Sequence, residues 1–199
     1  MASLLANQVP NTPTSLPVYL YEQVTAMFSW AAEHLGREVI GSEYLGYEFT
    51  GGTVVDGIRH EDASSLSFDT ASLAAIISTD VFEHVPDIDA ALQEAARVLA
   101  PGGRLFFSIP FHAKSYATVQ RAQLVDGEIR HLLPPQYHGN PVSEDGSLVF
   151  YDHGWEVLDR CLAAGFQDAY GICYWNPVAG YLGSGLQMTF MATRTDLSG

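Results

Sequence analysis

Short apolar runs alternate along the chain with stretches in which apolar residues recur every three or four positions. Seven runs rich in β-branched and aromatic residues predict strands, at 16–21, 38–46, 53–58, 72–79, 104–111, 168–175 and 186–193. Helical spacing predicts three helices, at 25–36, 86–99 and 155–166. This order predicts an α/β fold with a mostly parallel, seven-stranded sheet and helices on both faces. The last two strands are separated by a glycine-rich loop and no helix, so we expect an antiparallel pair at one edge.

Residues at the predicted helix ends agree with this assignment. Thr25 suits an N-cap, because its hydroxyl can accept a hydrogen bond from an unpaired backbone N–H. Pro86 suits the first turn of the second helix, where no backbone donor is needed. Gly36 and Gly165 lie at the ends of the first and third helices and can take the positive φ that ends a helix.

Two segments fall outside this pattern. Residues 1–15 are polar, with prolines at 10 and 13, and we expect a flexible tail ahead of a single domain that spans 16–195. Residues 112–153 fit no regular element, yet their Tyr, Phe, Leu and His content argues against disorder. Long irregular insertions in compact domains are commonly functional. We therefore expect 112–153 to be an insertion that covers a binding cleft.

Composition and charge narrow the classes of partner. The 199 residues carry a net charge of −14 with nine Lys and Arg, which argues against nucleic acid or an anionic membrane as the main partner. No apolar stretch approaches the roughly 20 residues of a membrane span, and the N-terminus lacks the basic start of a signal peptide. The two cysteines, Cys161 and Cys173, argue against a disulfide framework. We expect a cytoplasmic protein, and the sequence leaves a homodimer open.

The densest pattern lies between Glu61 and Pro110. The stretch SLSFDTASLAAIISTDVFEHVPDIDAALQEAARVLAPGGRLFFSIP, residues 65–110, follows an acidic residue and contains a Leu-x-Phe turn and an apolar strand. The segment EHV, a helix of the form ALxExxRVLxPGG and a further apolar strand come next. This order closely resembles the class I S-adenosylmethionine-dependent methyltransferases, in particular their type 11-like domains. The resemblance implies a Rossmann-like fold, S-adenosylmethionine as cofactor, and O- or N-methylation of a small-molecule acceptor beneath the lid 112–153.

Acidic residues follow four consecutive predicted strands, at Glu22, Glu43, Asp62 and Asp80. The carboxyl ends of parallel strands meet at one edge of the sheet, where open α/β folds bind their ligands. Clustered carboxylates repel one another, so a structural role alone explains them poorly. S-adenosylmethionine suits such an edge, because it offers a ribose diol, an adenine amine, an ammonium and a sulfonium.

The resemblance assigns one part of the cofactor to each strand end. It implies nine cofactor-binding residues: Glu22, Gln23, Glu43, Tyr44, Asp62, Ala63, Thr79, Asp80 and Val81. The acid after the second strand is expected to hold the ribose hydroxyls. The pair after the third strand is expected at the adenine, with its aspartate accepting from the exocyclic amine. The three residues after the fourth strand are expected along the methionine portion.

The first loop departs from the family. Its members normally carry a glycine-rich turn here, which lets the backbone approach the cofactor, whereas LPVYLYEQVTAMF, residues 16–28, contains no glycine. One explanation is a divergent loop, in which Glu22 takes the strand-end role and the helix start at Thr25 offers free N–H groups. The other is that cofactor binding has been lost, leaving a catalytically inactive relative with a binding, regulatory or assembly role. The sequence leaves both explanations open.

Three histidines are candidates for catalysis: His84, His112 and His138. Each could accept a proton from the acceptor, since an imidazole titrates near neutral pH. The set Asp80, Glu83 and His84 also resembles the acidic metal site of some quinone-biosynthesis O-methyltransferases. Asp80 is shorter than the glutamate of that motif, which weakens the match. We therefore expect S-adenosylmethionine as the cofactor, and a divalent metal at Asp80, Glu83 and His84 is the weaker alternative.

Overall fold

Four α-helices and fourteen strands form in the part of the chain that the computed structural model describes, residues 1–140, 143–175 and 187–195. The helices are α1 (Ala2–Gln8), α2 (Ala26–His34), α3 (Ile88–Val98) and α4 (Glu156–Ala163). The strands are β1 (Val18–Leu20), β2 (Val39–Gly41), β3 (Val54–Val55), β4 (Ile58–Arg59), β5 (Leu73–Thr79), β6 (Leu99–Ser108), β7 (Val119–Gln120), β8 (Ala122–Val125), β9 (Glu128–His131), β10 (Tyr137–Asn140), β11 (Ser143–Leu148), β12 (Tyr151–Asp152), β13 (Phe166–Tyr174) and β14 (Gln187–Arg194). Short 3-10 turns occupy Val9–Asn11 and Phe82–His84. None of the described helices is long and apolar enough to cross a membrane.

Six strands make the central sheet, in the order β13–β14–β6–β5–β1–β2. Strands β2, β1, β5 and β6 run parallel, and β14 and β13 continue the sheet antiparallel beyond β6. β5 lies inside the sheet and is buried from Leu73 to Ser78, because neighbouring elements cover both of its faces. The predicted α/β fold, with a mostly parallel sheet and an antiparallel edge pair, is confirmed.

The sheet has six strands rather than the predicted seven, because the run at 53–58 folds back on itself. It forms the hairpin β3–β4, whose turn residues Asp56 and Gly57 have φ of 51° and 84°. Asp-Gly is favoured in two-residue hairpin turns, which require positive φ at both positions. An isolated parallel bridge between Glu43 and His60 ties this segment to the end of β2.

The helix ends follow the local signals in the sequence. Thr25 caps α2 by accepting a hydrogen bond from a backbone N–H of the first turn, and Gly36 follows this helix with φ of 65°. Gly165 lies beyond α4 with φ of 101°. The start of α3 differs by two residues: the helix begins at Ile88, Asp87 is its N-cap and Pro86 precedes the cap.

The N-terminal segment differs from the expected flexible tail. It contains α1, in which Leu5 packs one turn before Val9, and the two side chains are 0% and 1% exposed. Both belong to an apolar cluster with Val18 and Leu20 of β1. Leu5 and Val9 lie four positions apart on one face of this helical segment, Met1 and Leu4 are partly buried beside them, and together they pack the segment against the sheet.

The insertion 112–153 contains regular structure that the sequence pattern does not predict. In its described part, β7 pairs with β12, β8 with β9 and β10 with β11, all antiparallel. The backbone N–H of Phe150 donates to the carbonyl of Glu83 over 2.7 Å and ties the insertion to the turn after β5. The glycine-rich loop predicted at 176–185 lies outside the described residues.

A buried histidine lies at the end of the insertion. His153 is 0% exposed, and its ring stacks on that of Tyr151 with centroids 5.7 Å apart. Burial lowers the pKa of His153 from 6.5 to about 4, because the imidazolium would lose its hydration inside the protein. The side chain is therefore neutral at neutral pH.

We expect Leu5→Ala to lower the free energy of unfolding by about 2–4 kcal/mol, the usual cost of truncating a buried leucine. Ser3→Ala, at an exposed position of the same helix, is the matched control and should change stability by less than about 0.5 kcal/mol. Urea unfolding of both variants measures the difference. Equal stabilities would show that α1 does not contribute to the core.

We expect His153 to make the protein lose stability as the pH falls. The unfolded chain binds a proton at this residue below about pH 6.5, whereas the folded chain does so near pH 4. Between these values stability falls by up to about 1.4 kcal/mol per pH unit. His153→Gln should remove this part of the slope in urea unfolding curves, and His131→Gln, at an exposed position of β9, should retain it. Identical slopes in both variants would contradict the prediction.

Candidate functional site

The order of strands reverses at the pair β1 and β5. From β1 the chain moves outward to β2, and it later returns to the other side of β1 as β5. In open α/β sheets a crevice forms outside the carboxyl ends of the strands at such a switch point, and ligands bind there. The segments that leave β1, β2 and β5 bring Glu22, Glu43 and Asp80 to this edge.

Glu22 and Thr79 join the two strands at the switch point. Thr79 is the last residue of β5, and its hydroxyl donates a hydrogen bond to the carboxylate of Glu22, which is 8% exposed. The backbone N–H of Tyr21 donates to the carbonyl of Ile77 over 3.1 Å, so the strands stay paired up to this edge. Two residues that the sequence assigns to the cofactor site are thereby in contact.

The loop after β1 is held by the carboxylate of Glu43. Its Oε1 accepts hydrogen bonds from the backbone N–H groups of Gln23, at 2.7 Å, and Val24, at 3.0 Å. The Gln23 side chain bonds the β3–β4 hairpin, donating to the carbonyl of Gly57 and accepting from the N–H of Arg59. A loop without glycine thus has partners for its backbone donors and a fixed course between β1 and α2.

The loop after β1 packs closely against the end of β2 because residue 41 is a glycine. A Cβ added to Gly41, at the end of β2, would lie 2.8 Å from the carbonyl oxygen of Glu22 and 2.6 Å from the ring of Phe28. Only glycine allows the backbone and the aromatic ring to pack so closely. Sequence reasoning missed this residue, because its importance depends on a loop that crosses β2 in three dimensions.

Asp62, Ala63 and Tyr44 lie beyond β2 on the same side of the crevice. Asp62 accepts a hydrogen bond from the N–H of Ser64 at 2.8 Å, and Ala63 is 8% exposed. The Tyr44 ring is 5.5 Å from that of His60. Burial raises the pKa of Tyr44, and the negative charge of Asp62 raises it further, so the two side chains lie within electrostatic reach.

Glu61 is a buried acid to which sequence reasoning gave no role. It is 3% exposed and forms an ion pair with Arg59, with Nη2 to Oε1 at 2.7 Å. Its other oxygen accepts from the backbone N–H of Ser67 at 2.9 Å. Glu61 therefore fixes the segment that carries Asp62, and the neighbouring Arg59 was the sequence signal for an ion pair.

Asp80 occupies an unusual backbone conformation at the end of β5. Its φ is 52°, in the left-handed region that Asp adopts more readily than most other side chains. The N–H of Asp80 donates to the carbonyl of Ser108, and its Oδ1 accepts from the Ser108 hydroxyl, both at 3.1 Å. These bonds hold the exposed carboxylate between the ends of β5 and β6. Val81 follows it, half-buried.

A cavity of about 530 Å³ opens beside Asp80. Residues from the ends of β5 and β6, from the antiparallel strands and from the chain start line it: Met1, Asp80, Ser108, Ile109, Phe111, Ala113, Tyr174, Met188 and Thr189. Its size falls in the range of about 300–1,000 Å³ that is usual for small-molecule sites. Asp80 is therefore shared by the crevice and the cavity.

The three candidate catalytic histidines do not gather in one place. His84 and His138 lie together, with ring centroids 5.1 Å apart and nearly perpendicular planes. His112 is exposed, and its sequence neighbours Phe111 and Ala113 both line the cavity. His112 therefore adjoins the cavity wall through its chain neighbours without lining the cavity itself, and the other two form a separate group.

Glu83 completes the group of His84 and His138. It is 0% exposed, and its Oε1 lies 3.5 Å from Nε2 of His84 and 3.5 Å from Nδ1 of His138. Burial raises the pKa of Glu83 to about 8, with its own backbone N–H opposing this and the charge of Asp80 adding to it. Burial also lowers the pKa of His84. Without a bound cation, Glu83 and His84 therefore favour their uncharged forms near neutral pH.

These three side chains are the potential metal ligands that the described residues bring together, with one ligand atom from each within 4.8 Å of the others. The set differs from the alternative considered from the sequence. Asp80 bonds Ser108, and His138 from the insertion joins Glu83 and His84 in its place.

A comparison with known families identifies one match to this sequence. Residues 14–107 match a family described as a methyltransferase domain. This range covers the first loop, the four acids at the strand ends, and β5 through most of β6. No curated protein matches the sequence significantly.

Solved structures of similar fold include several S-adenosylmethionine-dependent methyltransferases. One from Mesorhizobium loti has 17% identity and a TM-score of 0.57, covering 98% of each chain. A glycopeptide N-methyltransferase complexed with sinefungin has 16% identity and a TM-score of 0.61, covering 98% of this chain and 92% of its own. The 1,6-didemethyltoxoflavin-N1-methyltransferase of Burkholderia thailandensis, with 1,6-didemethyltoxoflavin and S-adenosylhomocysteine bound, has 15% and 0.55, covering 98% and 76%. Residues 14–107 therefore match a methyltransferase domain, and the chain has the class I methyltransferase fold that the sequence predicts.

Proposed function

We propose that this protein is an S-adenosylmethionine-dependent methyltransferase that modifies a small-molecule acceptor at oxygen or nitrogen. The meeting of Glu22, Glu43, Thr79 and Asp80 at the switch point of the sheet carries this proposal. Carboxylates at that edge suit a ligand with hydroxyl groups and positive charge. The domain match supports the cofactor class, as do similar structures that bind S-adenosylhomocysteine or sinefungin.

The residues at the crevice fit this cofactor. Glu43 uses one carboxylate oxygen to hold Gln23 and Val24, and its second oxygen remains for the ribose hydroxyls. The first loop thus shapes the crevice, while the donors at Gln23 and Val24 serve Glu43. The remaining assignments follow the sequence prediction, with the adenine and methionine portions held by Tyr44, Asp62, Ala63, Thr79, Asp80 and Val81.

Methyl transfer requires the protein mainly to position the acceptor and, for some acceptors, to remove a proton. S-adenosylmethionine supplies a methyl group on a sulfonium, which is an excellent leaving group, so alignment of the acceptor provides much of the acceleration. Asp80 belongs to both the crevice and the cavity, and we assign it the orientation of the acceptor. Where the acceptor loses a proton, His112 beside the cavity is the proposed base. Catalytic roles for His84 and His138 stay predictions.

The cavity beside Asp80 is the proposed acceptor site. Its volume of about 530 Å³ suits a small molecule, and Phe111 and Tyr174 offer aromatic side chains in its lining. The insertion 112–153 begins at the wall of this cavity, which supports its proposed role as a lid. A homodimer and a cytoplasmic location stay predictions from the sequence.

We expect the wild type to bind S-adenosylmethionine and S-adenosylhomocysteine in calorimetric titrations. Glu43→Gln keeps a carbonyl oxygen for the loop amides but removes the charge, and we expect affinity to fall about tenfold to a hundredfold. Asp62→Asn should weaken binding to a similar extent, since a neutral amide accepts a hydrogen bond from the adenine amine more weakly than a carboxylate does. Glu128→Gln, at an exposed position of β9, is the control. No binding by the folded wild type at millimolar ligand would reject the proposal and favour the inactive relative.

We expect Gly41→Ala to weaken cofactor binding at least tenfold, because the new methyl group would displace the backbone at Glu22 or the ring of Phe28. Gly139→Ala is the matched control, since a Cβ there would meet no atom within 4 Å. Titration of both variants with S-adenosylhomocysteine checks the result, and circular dichroism shows whether each is folded. Full affinity in a folded Gly41→Ala variant would show that loop packing does not shape the crevice.

A further inference from the structure

Three metal-binding side chains from two separate segments converge outside the proposed cofactor crevice. Glu83 and His84 belong to the 3-10 turn after β5, and His138 belongs to β10 in the insertion. One ligand atom of each lies within 4.8 Å of the other two.

The distances within this group suit a shared cation better than a hydrogen bond. Oε1 of Glu83 is 3.5 Å from a ring nitrogen of His84 and 3.5 Å from a ring nitrogen of His138. A bridging proton would draw such atoms to about 2.7–3.0 Å. Ligands at about 2.0–2.1 Å from a tetrahedral zinc ion lie about 3.4 Å from one another. The observed separations match the edge of such a tetrahedron.

The carboxylate of Glu83 lacks a hydrogen-bond partner among the described residues. Its side chain is 0% exposed, and neither oxygen has a hydrogen-bond partner. Among the described residues, the two imidazoles are the basic groups that lie within 4.0 Å of the Glu83 carboxylate. An ionised carboxylate buried in this way is costly, which favours its neutral form. A cation between Glu83 and the imidazoles would instead stabilise the ionised form.

The hydrogen bonding of His84 presents the nitrogen that a metal requires. Its Nδ1 lies 2.8 Å from the carbonyl oxygen of Leu148, which can only accept, so Nδ1 carries the hydrogen. The lone pair of Nε2 therefore faces the carboxylate of Glu83. A ring nitrogen that donates to a backbone carbonyl while the other faces a metal is the usual arrangement of metal-binding histidines.

His138 can adopt the same arrangement. Its Nε2 lies 3.3 Å from the side-chain amide of Gln136. The amide atom at that distance is the nitrogen, and a half-turn of the amide puts its oxygen there instead. The oxygen then accepts from Nε2–H, and the lone pair of Nδ1 faces Glu83. Both imidazoles then have an orienting partner behind them and a ligand atom in front.

We propose that Glu83, His84 and His138 bind one divalent transition-metal ion, with zinc as the preferred ion. Two imidazoles and one carboxylate form a donor set that favours zinc and its neighbours over magnesium and calcium. Three protein ligands also leave a fourth position for water or an acceptor oxygen. Because His138 lies in the insertion, the ion would fasten the insertion to the turn after β5. The proposal is independent of the cofactor site.

The test uses the full chain, freed of metal by a chelator and measured without cofactor or acceptor. Zinc is titrated by calorimetry and by thermal unfolding, and cobalt(II) serves as a visible-absorption reporter. We expect one ion per chain, a raised melting temperature, and cobalt bands that zinc abolishes. Magnesium should leave the melting temperature unchanged. No zinc binding by the folded wild type, or an equal response to magnesium, would overturn the proposal.

Variants locate the site. Glu83→Gln preserves the shape of the side chain, and His138→Ala removes a partly exposed ligand; each should weaken zinc binding at least tenfold. His131→Ala, in β9 of the same insertion, should bind zinc as the wild type does. Circular dichroism of the metal-free variants shows that each is folded. Wild-type zinc affinity in both Glu83→Gln and His138→Ala would overturn the proposal. Since no cofactor is present, either result leaves the methyltransferase proposal to its own test.

Discussion

Glu43 accepts two hydrogen bonds from the backbone after β1, and the proposed cofactor crevice depends on them. A loop without glycine adopts the positive φ values of a glycine-rich turn only at a cost, so its backbone amides need an acceptor close to their position in the ordinary regions of φ. One carboxylate oxygen serves both Gln23 and Val24. This fixes the course of the chain into α2 and leaves Glu22 able to reach Thr79. The departure from the family in one loop is thus compensated by an acid on the neighbouring strand.

Much of the fold was predictable because its determinants are local. The run at 72–79 and the helix after it follow simple periodicities, and Thr25 and Gly36 mark the ends of α2 through their own side chains. The strand at 53–58 was mispredicted although its Asp-Gly pair was visible, because the pattern of β-branched residues outweighed the turn signal. The N-terminal helix could not be predicted, since the burial of Leu5 and of Val9 just after it depends on contacts with the distant residues Val18 and Leu20 of β1.

The candidate site also has a part that could be predicted from the sequence and a part that could not. Acids at the ends of strands could be predicted, because parallel strands deliver their carboxyl ends to one edge. The pairing of His138 with His84 could not, since it depends on how an insertion of unpredicted hairpins folds back over the turn after β5. Gly41 was also missed, because close packing leaves no trace in a single sequence. Local chemistry was therefore visible from the residues, and contacts across the chain were not.

The left-handed backbone of Asp80 has a consequence for how this position can vary. A non-glycine residue in that region costs about 1–2 kcal/mol relative to the ordinary helical region, and glycine would relieve it. Glycine would also delete the carboxylate that links the crevice to the cavity. Selection for stability therefore favours glycine at this position, whereas selection for the proposed site favours aspartate. A protein under pressure only to stay folded would be free to lose the aspartate here.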